Sequence, residues 1–181
     1  MTNSLSRLTP FFSLIRSAKD EIAKSQIFVA QMEIPLAINI YALKLAKSLG
    51  VTTVLNTAPA PPEPLPEEIY QYVDILCANQ PELQMIAQCT VNNPEDAKIA
   101  ARKVLSCGVK KVLVTLGKAG CLLVQQDTEP VYVPGEKVEK VVDTSGAGDS
   151  FLGTLSYFLA NGKLHNILLF VQSNRIWTNE S

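Results

Sequence analysis

A glycine-rich segment flanked by two acidic residues is the part of this sequence best suited to chemistry. It spans residues 143–151 and reads Asp-Thr-Ser-Gly-Ala-Gly-Asp-Ser-Phe. A strand-like run at 138–142 precedes it, and an amphipathic segment at 151–159 follows it. The pattern therefore predicts a strand, a tight turn and the N-terminus of a helix. Backbone N–H groups and the helix dipole at such a terminus attract anions.

Asp149 stands at the edge of this predicted anion pocket. An aspartate is ionised at neutral pH, so it can orient a hydroxyl group and accept its proton. The N–H groups of Gly146, Ala147 and Gly148 would stabilise the charge on transferred phosphoryl oxygens. We therefore predict phosphoryl transfer to a hydroxyl, with Asp149 as general base. The alternative for Asp149 is an ordinary helix-entry carboxylate that the dipole favours.

Two other phosphate-binding motifs do not fit the sequence. A dinucleotide-binding fingerprint requires a third glycine at the position that Phe151 occupies. The chain also contains no Gly-x4-Gly-Lys-Ser/Thr sequence, which excludes a P-loop nucleotide hydrolase.

The run Asp-Thr-Ser-Gly-Ala-Gly-Asp-Ser-Phe-x-Gly, residues 143–153, resembles the C-terminal signature of the ribokinase family of carbohydrate kinases. The resemblance implies a three-layer α/β/α sandwich with a mostly parallel sheet. It implies ATP-dependent phosphorylation of a sugar hydroxyl, with ribose as the first candidate. It also implies that this loop is the anion hole, that Asp149 is the base, and that Mg²⁺ and K⁺ accompany the co-substrate ATP.

A second candidate segment is the tetrapeptide Asn-Gln-Pro-Glu at residues 79–82, which follows a short apolar run. An amide and a carboxylate at this spacing can hold a hydrated magnesium ion beside nucleotide phosphates. The same spacing fits a capping box, in which Asn79 begins a helix and Glu82 bonds back to it. The resemblance implies the first role, with Asn79 near the nucleotide and Glu82 binding Mg²⁺ through water.

Two further segments, and two residues of the glycine-rich segment, match the family in their order along the chain. The segment at 32–35 resembles the strand end that places an acid on the sugar hydroxyls, which would be Glu33; a solvated carboxylate is the alternative. Residues 115–120 resemble a Thr-x-Gly-x-x-Gly nucleotide turn, although the bare pattern is only a β-turn. The nucleotide contacts that the resemblance implies are Asn79, Thr115, Leu116, Gly117, Gly120 and Gly148. A potassium site is implied through the Asp143 carboxylate and the Ser145 carbonyl.

The resemblance divides the chain into two parts. Residues 1–162 match part of a carbohydrate kinase domain, whereas residues 163–181 form a tail that does not match the family. We therefore expect a sandwich that is incomplete at both ends. The full-length form is expected to be a homodimer.

Composition limits the other classes of function. The net charge of the 181 residues is −1, which argues against nucleic acid and anionic membranes as partners. No apolar run approaches the roughly 20 residues of a membrane span, and the N-terminus lacks a signal-peptide core. The four cysteines are widely spaced and the single histidine, His165, lies outside any motif. We expect reduced, mostly buried thiols, no zinc site, and a cytoplasmic protein that could also be nuclear.

Apolar strand-like runs alternate with helical segments along most of the chain. Strands are predicted at 27–30, 51–55, 73–77 and 111–116, and a hairpin-like pair at 117–126 and 131–134. Helices are predicted to begin at Thr9-Pro10, Pro35, Pro81 and Asn93-Pro94. The helical period places Leu14, Ile15, Ala18 and Ile22 on one apolar face of the first helix. It places Ala97, Ala100, Ala101, Val104 and Leu105 on that of the last. This order is typical of βαβ units and a mostly parallel sheet. Because such sheets bind ligands at the carboxyl ends of their strands, Glu33 and the segments 79–82 and 143–149 could share one cleft.

Three hypotheses of function follow from the sequence. The first is a kinase that phosphorylates ribose with ATP. The second is a non-catalytic fragment that binds a partner subunit, or a nucleotide weakly. The third is a kinase of another sugar or of a nucleoside, which is favoured if Glu33 does not line the sugar site.

Overall fold

The protein is described by a computed structural model that covers residues 4–135 and 146–163. The α-helices are α1 (Ser4–Ser17), α2 (Lys19–Lys24), α3 (Leu36–Ser48), α4 (Glu67–Tyr70), α5 (Gln80–Ala87), α6 (Pro94–Ser106) and α7 (Ala147–Ala160). The strands are β1 (Ile27–Gln31), β2 (Thr52–Asn56), β3 (Ile75–Asn79), β4 (Lys111–Thr115), β5 (Gly120–Gln125) and β6 (Val131–Pro134). A 3₁₀ turn covers Gly117–Ala119.

The described strands form a single sheet in the order β1-β2-β3-β4-β5-β6. Strands β1 to β4 pair in parallel, with Ala30 opposite Leu55 and Ala78 opposite Val114. The pairs β4–β5 and β5–β6 are antiparallel. The prediction of parallel βαβ units followed by a hairpin is therefore confirmed. Helical crossovers bring the carboxyl ends of β1 to β4 to one edge of the sheet.

Alternate residues of each strand face opposite helical layers. Leu76 and Val112 belong to a cluster with residues of α3, α5 and α6. Their neighbours Ile75 and Leu113 pack on the other side with Leu155 of α7. Burying each such aliphatic side chain stabilises the fold by about 1.5–3 kcal/mol. The two covered faces make the three-layer α/β/α sandwich that was predicted.

Helix α6 is an element whose buried face agrees with the sequence pattern. The Asn93 side chain accepts a hydrogen bond from the Asp96 N–H and caps the helix, and Pro94 occupies its first turn. The buried residues are those predicted from the helical period, namely Ala97, Ala100, Ala101, Val104 and Leu105.

The predicted start of the first helix is wrong. Helix α1 begins at Ser4 and contains Pro10 in its interior. A proline within a helix removes one backbone hydrogen bond, but here the residues before it still continue the helical turns. Leu14 and Ile22 were predicted on one apolar face, but Leu14 is 67% exposed whereas Ile22, in α2, is buried. The predicted apolar face was therefore divided between two helices.

The four cysteines are free thiols, as expected. Burial, together with the charge of Glu82, raises the pKa of Cys77 to about 12, and burial alone raises that of Cys121 to about 12. Cys89 is half-buried and Cys107 is exposed, so only two of the thiols are fully buried.

Among the helices of residues 4–135 and 146–163, none has the length and apolar character needed to cross a bilayer.

Asp74 joins three elements at the edge of the sheet where the parallel strands begin. Its carboxylate accepts hydrogen bonds from the backbone N–H and the hydroxyl of Thr53, each at 3.1 Å. It also forms ion pairs with Lys47 of α3 and with Lys110, the latter at 2.8 Å. Burial raises the pKa of Asp74, but the bonds from Lys110, Lys47 and Thr53 outweigh it and lower that pKa to about 2.

We expect Asp74→Asn to lower the free energy of unfolding by about 1–2 kcal/mol at neutral pH. The folded-state pKa lies below the ordinary value of 3.8. The carboxylate therefore stabilises the fold above about pH 4, and this stabilisation is lost as the pH falls towards 2. Urea unfolding of both proteins across this range measures the effect. The control is Glu95→Gln, which breaks an exposed pair with Lys98 and should change little. A deficit in Asp74→Asn that is independent of pH would contradict the assignment.

Candidate active site

A small cleft lies where the carboxyl ends of the parallel strands meet the N-terminus of α7. We call it the candidate cleft. Its lining includes residues from four separate stretches of sequence, namely Asn56, Ala58, Asn79, Glu82, Thr115 and Gly148. Asn79, Thr115 and Gly148 come from three different predicted motifs, so the fold brings these motifs together at one edge of the sheet.

The N-terminus of α7 presents its backbone to solvent. Gly146 precedes the helix with a φ of +75°, which favours glycine, and no side chain of the described residues caps the helix end. The N–H groups of the first turn have no partner inside the helix. A Cβ added at Gly146 or Gly148 would meet no atom within 4 Å in the part of the chain that the structure describes. There is therefore open space beside these backbone groups for an anion.

Asp149 lies in the first turn of α7 and is exposed. The helix begins at Ala147 rather than near Phe151, so the predicted anion loop includes the first helical turn itself. The Ala147 and Phe151 side chains are buried in the core beneath α7. This packing holds the first turn of α7 in a defined position, with Asp149 on its outer side.

Asn79 and Glu82 form the capping box that the sequence offered as one alternative. Asn79 Oδ1 accepts from the Glu82 N–H at 2.9 Å, and Glu82 Oε2 accepts from the Asn79 N–H at 3.0 Å. Asn79 Nδ2 also donates to Glu82 Oε1 at 2.7 Å. An amide group has two hydrogens to donate, so the exposed Asn79 side chain retains one for a ligand. Capping and ligand binding are therefore compatible here.

Thr57 contacts a residue of the candidate cleft from behind its lining, and the sequence did not reveal it. It follows β2, is completely buried, and its hydroxyl lies 3.1 Å from Glu82 Oε2. Glu82 is itself only 4% exposed although it lines the candidate cleft. The available signal was a polar Asn-Thr pair at the end of a strand, at the same edge as the other motifs.

Asn39 is a second buried polar residue that was missed. Its side chain is completely buried in α3, and Nδ2 donates to the Gln31 carbonyl at 2.8 Å. It thereby holds the end of β1, two residues before Glu33. The available signal was an amide within an otherwise apolar helix face.

Glu33 lies at the same edge of the sheet but not in the lining of the candidate cleft. It occupies the turn after β1 and is exposed. The neighbouring Met32 N–H donates to the Ala58 carbonyl at 3.0 Å, and Ala58 lines the cleft. Glu33 is therefore next in sequence to a residue, Met32, that is bonded to the lining of the cleft on the side of β1.

The segment after β4 divides into accessible and inaccessible residues. Thr115 lines the candidate cleft, and Gly117, with a φ of +55°, is exposed with open space around its α-carbon. Leu116 and Gly120 are buried. A Cβ at Gly120 would lie 2.0 Å from the Val133 carbonyl oxygen, so the β5–β6 hairpin requires glycine there. The nucleotide contacts predicted for these residues stay predictions.

Several predicted features lie outside the described residues. They are Asp143 and Ser145, with the potassium site they were expected to form, the strand at 138–142, and the tail from residue 164, including His165.

The donor set at the candidate cleft suits magnesium. Within residues 4–135 and 146–163, no three histidine, cysteine or acidic residues are grouped as a metal-binding cluster. Mg²⁺ usually keeps several of its waters and takes one or two carboxylates together with phosphate oxygens. A single carboxylate, Glu82, beside the amide of Asn79 and a helix N-terminus fits this pattern.

Comparison with known proteins agrees with this geometry. A ribokinase of Mus musculus is 37% identical over 147 residues, which are 81% of this chain and 45% of the mouse protein. A deoxyribokinase of Salmonella typhi is 33% identical over 147 residues, covering 80% of this chain and 46% of that protein. The chain thus spans about half the length of the curated relatives it matches.

The fold is also found among solved structures. Arabidopsis thaliana ribokinase, solved in complex with ribose and ATP, superimposes with a TM-score of 0.80 at 32% identity. The match covers 87% of this chain and 50% of the Arabidopsis chain. Residues 9–171 match the family model described as pfkB family carbohydrate kinase. The chain therefore belongs to the pfkB family of carbohydrate kinases and has a ribokinase-like α/β fold.

Proposed function

We propose that the candidate cleft is the phosphoryl-transfer end of an ATP-dependent sugar kinase. The observation that carries the proposal is the convergence of Asn79, Glu82, Thr115 and Gly148 on one cleft. These residues come from three separate motifs, and all of them suit a magnesium-bound polyphosphate. Relatives that are ribokinases, and a neighbour solved with ribose and ATP, support the same activity.

In this proposal the phosphates of ATP lie against the first turn of α7. The N–H groups of Gly146, Ala147 and Gly148 stabilise the oxygens of the transferred phosphoryl group. Asp149 accepts the proton of the sugar hydroxyl while the hydroxyl oxygen forms a bond to the γ-phosphorus and the bond between the γ-phosphorus and ADP breaks. The exposed position of Asp149 beside these N–H groups supports this role.

Metal ions enter the proposal through the chain's own residues. When bound, Mg²⁺ would neutralise charge on the phosphates of ATP. Glu82 would hold it through water, with Asn79, Thr115 and the exposed backbone of Gly117 beside the nucleotide. Leu116 and Gly120, for which contacts were also predicted, are buried and would hold this turn in place. Asp143 and Ser145 would hold K⁺, as the family resemblance implies.

Ribose is the first candidate for the sugar, with Glu33 as an acceptor for its hydroxyls. The exposed turn that carries Glu33, tied to Ala58 through Met32, supports this assignment. The deoxyribokinase relative favours a second candidate, a deoxypentose. We further propose a homodimeric full-length form and a cytoplasmic location.

The proposal is tested by nucleotide binding to two matched glycine variants of α7. Gly148 and Gly153 both have open space around the α-carbon, but only Gly148 lines the candidate cleft. We expect Gly148→Leu to weaken the binding of magnesium-ADP by about tenfold or more, since the side chain obstructs anion access to the first turn. Gly153→Leu should leave it unchanged. Calorimetric titration of the 181-residue chain provides the measurement. Equal affinity in both variants, or no binding by the wild type, would contradict the proposed site.

A further inference from the structure

We propose that Thr57 is a positioning residue for the magnesium-nucleotide end of the candidate cleft. Its hydroxyl would orient the carboxylate of Glu82, to which the metal role is assigned, so the inference rests on the proposed function. Thr57 is completely buried and lies 25 residues from Glu82 along the chain. Neither the sequence motifs nor the capping box requires a hydroxyl at this position.

The hydroxyl of Thr57 has two acceptors in reach. Oγ1 lies 3.1 Å from the Cys77 carbonyl oxygen and 3.1 Å from Glu82 Oε2. The Cys77 carbonyl already accepts the Thr57 N–H at 3.0 Å. A hydroxyl has one hydrogen to donate, and a charged acceptor forms the stronger bond. The Thr57 hydroxyl therefore donates to Glu82.

This bond makes the two oxygens of Glu82 unequal. Oε2 accepts from the Asn79 N–H at 3.0 Å and from the Thr57 hydroxyl at 3.1 Å, which fills its two lone pairs. Oε1 accepts from Asn79 Nδ2 alone among the described residues. The acceptor capacity that remains is thus on Oε1. A water of a hydrated Mg²⁺ ion would bond to this oxygen.

Removing the hydroxyl would release one side of the carboxylate. Asn79 would still hold both oxygens, so the helix cap would persist, but Oε2 would have a free lone pair in a buried position. The carboxylate could then rotate or recruit a water, and Oε1 would no longer be the preferred acceptor. Loss of a residue that orients a metal-binding group typically costs about 10–100-fold in metal affinity.

Thr53, which lies in β2 four residues before Thr57, supplies a matched control. It is also completely buried, and its hydroxyl also has a carbonyl and a carboxylate in reach: the Tyr72 carbonyl oxygen at 2.7 Å and an oxygen of Asp74 at 3.1 Å. It stands at the opposite edge of the sheet from the candidate cleft. Thr53→Val and Thr57→Val therefore remove the same group from the same kind of contact, but only Thr57 contacts a residue that lines the candidate cleft.

The experiment measures ADP binding to the 181-residue chain with Mg²⁺ and with a chelator. The enhancement is the ratio of the ADP affinity with Mg²⁺ to the ADP affinity in chelator. We expect Thr57→Val to lower this ratio about tenfold and to leave binding in chelator unchanged. Thr57→Ser should retain the enhancement. Thr53→Val should lower stability and keep the full enhancement. Thr57→Ala, which needs no additional space, replaces the valine variant if that variant does not fold.

A double variant separates an effect through Glu82 from a direct one. Glutamine can take the place of glutamate in a capping box, so Glu82→Gln should keep the helix cap. If Thr57 acts through Glu82, adding Thr57→Val to Glu82→Gln should cause no further loss of the enhancement. Full enhancement in Thr57→Val, alongside a normal wild type, would overturn this inference alone. A wild type that binds no ADP would overturn the proposed function as well.

Discussion

Asp149→Asn should lower kcat by about 10²–10⁴-fold and leave the affinity for ATP within a few-fold. The amide preserves the size of the side chain and its place in the first turn of α7, but it cannot accept the hydroxyl proton. Nucleotide phosphates would be held by backbone N–H groups, which the substitution does not change. The loss should therefore occur in the chemical step and not in binding.

The measurement needs a protein with a complete sugar site. A suitable form is a chimera in which residues 9–162 replace the matching part of the mouse ribokinase. Steady-state kinetics with ribose and ATP then give kcat and both KM values. Asp127→Asn is the control, because Asp127 is an exposed residue of the β5–β6 turn and is not part of the lining of the candidate cleft. An Asp149→Asn chimera that retains most of its kcat would exclude the base role.

The 181-residue chain by itself should show little or no sugar-kinase activity. It spans about half the length of its relatives, so about half of the family's residues are not available to bind or enclose the sugar. Orientation of the attacking hydroxyl is worth about 7–11 kcal/mol of the barrier. An open site also leaves the phosphoryl group in contact with water, which weakens electrostatic stabilisation.

The sheet itself provides a second reason. Strand β1 forms one edge of the described sheet, and its central residue Val29 is 37% exposed. An uncovered edge can pair with another chain and so favour association over a monomeric, active state. The activity of the chain is measured by coupled ADP release with ribose, Mg²⁺ and K⁺, and the chimera is the positive control. Turnover comparable to that of the chimera would refute this prediction and exclude the non-catalytic fragment hypothesis.

Local sequence patterns were sufficient for much of the fold. The period of α6 identified its buried residues, and Asn93 and Pro94 identified its start. These features depend on neighbours three or four residues apart, which the sequence displays directly. The predicted start of the first helix was wrong for the same reason. It relied on the preference of proline for the first turn of a helix, which is only a local tendency. The residues before Pro10 form helical turns in spite of it.

The sequence by itself determined which chemical groups are available and in what order: the glycine turn with Asp149, the Asn79–Glu82 pair, and the strands that end before them. Only the tertiary structure decided how these groups are oriented. Thr57 meets Glu82 because β2 and β3 pair in parallel and the chain turns back after each strand. That contact joins residues 25 positions apart, and no local pattern encodes it. Likewise, only the position of β6 shows why residue 120 must be glycine. The backbone of β6 lies so close to Gly120 that a Cβ would not fit between them.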